Sequence, residues 1–145
     1  MGSLILPQSG SIYLDTSAFI YSVERHEPYF SLLAPAWQRA ENGQFVIVCS
    51  ELVLAEALVQ PLREGRRKVE DLLRNVLAAP EVHLAPTTRQ LWEDAARLRA
   101  DTGLKTPDAL HAATALLTGC ALFVTNDSDF RRVEGLPVVI LDDLL

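Results

Sequence analysis

Short apolar runs alternate along the chain with longer stretches in which apolar residues recur every three or four positions. The short runs predict strands buried on both faces and the longer stretches predict helices packed on them. Together they predict an α/β fold around a largely parallel sheet. Strands are expected at Ser11 to Leu14, Phe45 to Cys49, Ala121 to Thr125 and Pro137 to Leu141, with Val82 to Ala85 as a fifth candidate. Helices are expected at Ser17 to Val23, Tyr29 to Asn42, Ser50 to Gln60, Arg66 to Ala79, Thr88 to Thr102 and Pro107 to Thr118. Thr106-Pro107-Asp108 offers a hydroxyl N-cap, a proline at the first helical position and an acid in the first turn. Gly103 and Gly119 fall where helices should stop. No repeat, low-complexity tract or linker breaks the pattern, so one domain is expected over residues 1–145.

Composition narrows the classes. With 49% apolar and 22% charged residues in 145, the chain has the make-up of a globular protein with a buried core, not of a disordered or fibrous one. The longest apolar run, Leu52 to Val59, is interrupted by Glu56, so no membrane span is expected. Met1 to Gly10 has no basic n-region, and a cytoplasmic address is the expectation. Cys49 and Cys120 each lie in an apolar stretch and read as small buried hydrophobes. A net charge of −6 argues against a general nucleic-acid coat protein, whose affinity rests on neutralising phosphates. It leaves open an enzyme acting on nucleic acid, because a phosphodiester-cleaving site needs carboxylates to hold divalent metal.

Four acids stand out. Asp15 follows the first predicted strand and Asp127 the one ending at Thr125, which places both at the C-terminal sheet edge where α/β folds bind ligands. Asp108 opens a helix, where an acid also suits the helix dipole. Glu56 is flanked at helical spacing by Leu52, Val53 and Val59, so it is expected on an apolar face, paired or bound to metal. Asp129 is a second acid after the same strand, and the sequence does not say whether it or Asp127 points inward. Glu51, at a helix start, reads as an exposed partner of the dipole. Hard oxygen ligands without His or Cys suit Mg2+ or Mn2+. Crowded carboxylates also need a cation among them to stay ionised together.

The run Tyr13-Leu14-Asp15-Thr16-Ser17-Ala18, then Ser50-Glu51-Leu52 leading to Glu56, then Lys105-Thr106-Pro107-Asp108-Ala109-Leu110-His111-Ala112-Ala113-Thr114-Ala115, then Val124-Thr125-Asn126-Asp127 resembles the PIN-domain ribonucleases. Within them the likeness is to VapC-like toxins of prokaryotic toxin–antitoxin pairs. It spans nearly the whole chain, and the third motif is the most specific. The resemblance implies a three-layer α/β/α PIN-like domain with a central, mostly parallel sheet of four to five strands. It also implies an Mg2+- or Mn2+-dependent endoribonuclease using one or two ions, held by the quartet Asp15, Glu56, Asp108 and Asp127. Asp129 shares or replaces the role of Asp127, and Thr16 and Thr125 are secondary polar residues. The implied partners are an RNA substrate, a small antitoxin protein and a second copy in a homodimer.

Other residues weigh less. Arg66, Arg67 and Lys68 lie in a basic segment, and Arg131 follows the acidic turn. These are the candidates for RNA phosphate contact, against a reading as a solvated, charge-paired helix face. His111 shares a helix face with Asp108 but reads as packing on an alanine-rich helix. Trp37 and Trp92 read as core. An aspartate-nucleophile phosphatase would want an acid where Ser17 stands, and a receiver-type regulator would want an acidic pair at the first strand. The remaining alternative is a catalytically inactive PIN-like scaffold for protein interaction.

Overall fold

The computed structural model describes residues 2–145. Five strands form one sheet: β1 (Ser11–Leu14), β2 (Val46–Ser50), β3 (Val82–Ala85), β4 (Leu122–Thr125) and β5 (Val138–Ile140), in the order β3-β2-β1-β4-β5 with every pairing parallel. The connecting helices are α1 (Thr16–Val23), α2 (Tyr29–Glu41), α3 (Leu52–Ala57), α4 (Val59–Glu64), α5 (Arg67–Leu77), α6 (Arg89–Thr102) and α7 (Thr106–Thr118). From β1 the chain winds outward through β2 to β3, then crosses to β4 and winds the other way. The switch point lies between β1 and β4, and the crevice beyond their C-terminal ends is where such sheets bind ligands.

Side chains alternate across the sheet, as the two-residue period of a strand requires. Ile12 and Leu14 of β1, Ile47 and Cys49 of β2 and Val124 of β4 face a core with Phe19, Leu33, Leu73 and Leu77. Tyr13, Val48 and Phe123 face the opposite core, which α6 and α7 close with Leu91, Ala95, Ala109, Leu110, Ala112 and Ala113. Small residues on α7 let its backbone lie close to the sheet, and the Tyr13 and Phe123 rings fill the space between, stacked with centroids 5.0 Å apart.

Beyond shifts of a residue at element ends, the structure departs from these expectations in several places. The helix expected over Ser50 to Gln60 begins at Leu52 and is divided at Leu58, because Pro61 has no N–H to offer the carbonyl of Ala57. Ser50 instead ends β2, fully buried, and its hydroxyl accepts from Leu52 N at 3.1 Å. Thr106 is not the cap of α7: Lys105 precedes the helix and no side chain caps it. Gly103 and Gly119 do end α6 and α7, at φ of 73° and 65°, the left-handed region in which a Cβ is costly. Of the two tryptophans expected in the core, Trp37 is partly buried and packs against it, whereas Trp92 is 45% exposed on the outer side of α6.

Candidate active site

Asp15 stands at the turn from β1 into α1, and the turn explains its placement. Its Oδ1 accepts from Ala18 N at 3.0 Å and so caps α1, while its Oδ2 accepts from the Thr125 hydroxyl at the end of β4 at 2.5 Å. Asp15 N donates to Val124 O, which ties the two strand ends together across the switch point. The carboxyl is 6% exposed, and burial raises its pKa; the bonds from Thr125 and Ala18 and the nearby His111 oppose that rise, and Asp108 adds to it. Thr125, fully buried, also accepts from Asp127 N at 3.0 Å, so one hydroxyl orients both the acid of β1 and the turn after β4.

Asp108, in the first turn of α7, is partly buried. Its pKa is raised by burial first, then by the charge of Asp127; His111 and Lys105 pull it down and Glu56 pushes it up. Asp127 is exposed at the start of the short 3-10 turn Ser128–Arg132, with its Oδ1 accepting from Asp129 N at 2.9 Å. Asp129 points outward, its Oδ1 3.1 Å from an Arg132 nitrogen. Both acids are exposed, but the charge of Asp127 acts on Asp108, whereas Asp129 is paired with Arg132.

Glu56 does not lie on a buried face. Its side chain is 33% exposed, and Val59, expected beside it, is 42% exposed. Glu56 reaches the site from α3, where its Oε1 accepts from the Thr16 hydroxyl at 2.7 Å and lies 3.0 Å from His111 Nε2. The His111 bond lowers the Glu56 pKa, partial burial opposes this, and the Thr16 bond adds to the lowering.

Two residues that sequence reasoning undervalued belong to this neighbourhood. His111 is 2% exposed and is not a bystander among alanines: both ring nitrogens are engaged, Nδ1 with the Tyr13 hydroxyl and Nε2 with Glu56 and Thr16. The signal available was its spacing, three residues after Asp108 on the helix face that meets the sheet. Glu51 is partly buried, and its Oε1 accepts from Thr87 N at 2.6 Å and Thr87 Oγ1 at 2.7 Å. It therefore fastens the start of α3 to the segment before α6, which lowers its pKa, and it does not serve the dipole alone.

Among the described residues, no three His, Cys, Asp or Glu side chains are gathered closely enough to hold a metal ion as they stand. The donor chemistry nonetheless fits a hard divalent cation. Asp15, Asp108, Asp127 and Glu56 offer carboxylate oxygens, the histidine among them is spent on Glu56 and Tyr13, and no arginine or lysine forms an ion pair with the three aspartates among the described residues.

The basic candidates divide. Arg66 is held by Glu24 at 3.3 Å and Glu64 at 2.8 Å, and Arg131 is paired with Asp143. Arg67 and Lys68 are exposed and form no ion pair among the described residues.

An all-parallel α/β domain with acids at the C-terminal edge of its switch point is the class that fold and site define. A model of the PIN domain family matches residues 12–136, and the chain belongs to that family. Solved structures carry the same fold. VapBC2 from Rickettsia felis bound to a DNA fragment from its promoter is 20% identical, with a TM-score of 0.71 over 91% of this chain and 99% of that one. A toxin–antitoxin complex from Klebsiella pneumoniae is 25% identical, with a TM-score of 0.60 over 88% and 95%. VapC20 of Mycobacterium tuberculosis, a sarcin-ricin loop cleaving toxin, is 18% identical, with a TM-score of 0.67 over 83% and 92%. The fold is therefore VapC-like. No curated protein matches the chain. No helix among the described residues is long and apolar enough to cross a membrane.

Proposed function

We propose that this chain, as one PIN domain, is a divalent-metal-dependent endoribonuclease that hydrolyses RNA phosphodiester bonds as the toxin of a toxin–antitoxin pair. The observation that carries the reading is the set of like charges at the switch point: Asp108 feels Asp127 and Glu56, and Asp15 feels Asp108, with no ion-paired base among the aspartates. Repulsion of this kind disfavours folding and is retained where a cation is to be bound.

Asp15, Asp108 and Asp127 would hold Mg2+ or Mn2+, with Glu56 beside them. When bound, such an ion supplies Lewis acidity at the phosphodiester and makes water a nucleophile near neutral pH. The protein's own work is positioning. Thr125 and the α1 N-terminus fix the Asp15 oxygens, and Thr16 and His111 fix Glu56 in its charged form, ready to accept a proton from an attacking water. Arg67 and Lys68 are free to meet substrate phosphates, whereas Arg66 and Arg131 would first have to leave their carboxylate partners. The partners that go with this reading are a small antitoxin, as in the complexes of similar fold, and a second copy of the chain; the cytoplasm is the compartment it implies.

The test is cleavage of a structured RNA mixture by the wild type and Asp108→Asn, purified identically, each with Mn2+ and with excess chelator. Cleavage by the wild type with metal alone, absent in the variant, is the expected outcome. Equal cleavage by both proteins would place the activity elsewhere or in a contaminant.

A further inference from the structure

A hydrogen-bonded chain runs from the middle of the sheet to the site. The Tyr13 hydroxyl, on a residue with 0% exposure, lies 2.6 Å from His111 Nδ1. His111 Nε2 lies 3.0 Å from Glu56 Oε1 and 3.1 Å from Thr16 Oγ1, and Thr16 donates to the same Glu56 oxygen. A carboxylate oxygen only accepts, so Nε2 must carry the proton shared with Glu56. In the neutral ring Nδ1 is then the acceptor and Tyr13 the donor. A doubly protonated ring would leave the Tyr13 hydroxyl proton with no acceptor among the described residues, in a place closed to solvent.

The geometry assigns Tyr13 and His111 as positioning residues for Glu56: through the neutral Nε2–H tautomer they commit Oε1, and they leave Oε2 as the one oxygen of Glu56 free to act in the site. Oε1 receives both Thr16 and His111, whereas Oε2 has no hydrogen-bond partner among the described residues. The chain reaches back to β1, at the centre of the sheet, where Tyr13 is clamped by its stack on Phe123. Glu56 itself sits on a six-residue helix at the rim. The buried end thus fixes the exposed one, as partners behind an active carboxylate do. A merely space-filling His111 would be replaceable by leucine without consequence for Glu56.

The consequence for rate rests on the nuclease reading, but the tautomer and its contacts do not, and the experiment separates the two. The first arm is a long-range 1H–15N correlation spectrum of the metal-free full chain labelled at histidine, with His111 identified by its loss in His111→Gln. The expected ring is protonated at Nε2 and bare at Nδ1. Tyr13→Phe, which keeps the stacked ring and removes only the hydroxyl, should move the Nδ1 signal, and Glu56→Gln should move Nε2. A ring protonated at Nδ1, or signals that ignore both substitutions, overturns the proposal.

The second arm measures kcat and KM with Mn2+ on an RNA that the wild type cleaves, after circular dichroism shows each variant folded. His111→Leu should lower kcat about tenfold to a hundredfold with KM little changed, and His111→Gln, whose amide can still donate to Glu56, should recover most of it. Full activity in the leucine variant, or no recovery in the glutamine variant, overturns the positioning role. A wild type that cleaves no RNA under any condition counts against the nuclease reading, while the first arm still decides the tautomer.

Discussion

On the outer face of α6, Arg97 lies 2.8 Å from Asp94, and on α5 Arg74 reaches both Glu70 and Asp71. At the C-terminal edge of the sheet, Asp15, Asp108 and Asp127 lie near one another and none of them has an ion-pair partner among the described residues. The surface acids have their opposite charges one helical turn away, an arrangement that is easy to encode and contributes little. Asp15 and Asp108 are partly stripped of water, and the acids at this edge are set against one another, which destabilises the fold. A protein keeps such an arrangement where binding offsets it. The contrast teaches that the informative charges here are those left uncompensated.

The largest effect that sharpens the contrast is on activity. Asp108→Asn should reduce RNA cleavage about a hundredfold to a thousandfold, whereas Arg97→Ala should leave it unchanged, both read as initial rates with Mn2+. Comparable losses in the two variants would erase the distinction between the regions.

Next is the response to metal. A cation that binds only the folded chain stabilises it by mass action, by about 2.7 kcal/mol at a hundredfold excess over Kd. The midpoint of thermal unfolding should therefore rise with Mn2+ in the wild type and rise much less in Asp108→Asn. An unchanged wild-type midpoint at millimolar Mn2+ would remove the cation from the account.

A smaller effect is expected without metal. Burial and neighbouring acids raise the pKa of Asp15 and Asp108, so the folded chain holds their protons to higher pH than the unfolded chain does. Their contribution favours folding below the ordinary carboxylate value of about 4 and is lost as pH climbs through the raised values. Glu56 is lowered and runs the other way: its contribution is present above the ordinary value and lost as pH falls through the depressed one. Metal-free Asp108→Asn should then be the more stable protein at neutral pH, by about 0.5 kcal/mol once solvent screening is allowed for. That gap should close as the medium is acidified, as followed by urea midpoints. A gap that does not vary with pH would mean that Asp108 is under no strain.

The smallest effect is at the surface. Arg97→Ala should change stability by no more than about 0.5 kcal/mol, measured by the same urea titration. A larger loss would show that the helix pairs matter more than their exposure suggests.

Much of this was legible in the sequence, and for definite reasons. Buried parallel strands must be short and apolar, so the strand at Ser11–Leu14 and the one at Val82–Ala85 could be read to the residue. An acid within two residues of the end of such a strand must emerge at its C-terminal edge, which is why Asp15 and Asp127 could be singled out before any packing was known. Glu56 was legible as an unusual acid but not in its setting, because its reach to Thr16 and His111 depends on segments 40 and 55 residues away. His111 and Glu51 were misjudged for one shared reason. Their roles depend on Tyr13 and Thr87, 98 and 36 residues away in the chain, and no local spacing records such a partner.

The sequence by itself determined the alternation of strands and helices, the chain positions of the acids and the family pattern they form, because each follows from local propensity and short-range order. Only the tertiary structure decided the strand order that sets the switch point between β1 and β4. It alone put Asp127 where its charge acts on Asp108, paired Asp129 with Arg132, and joined Tyr13, His111 and Glu56 into one chain of hydrogen bonds. Those outcomes depend on which distant segments the hydrophobic cores bring together, and a short-range pattern carries no record of that choice.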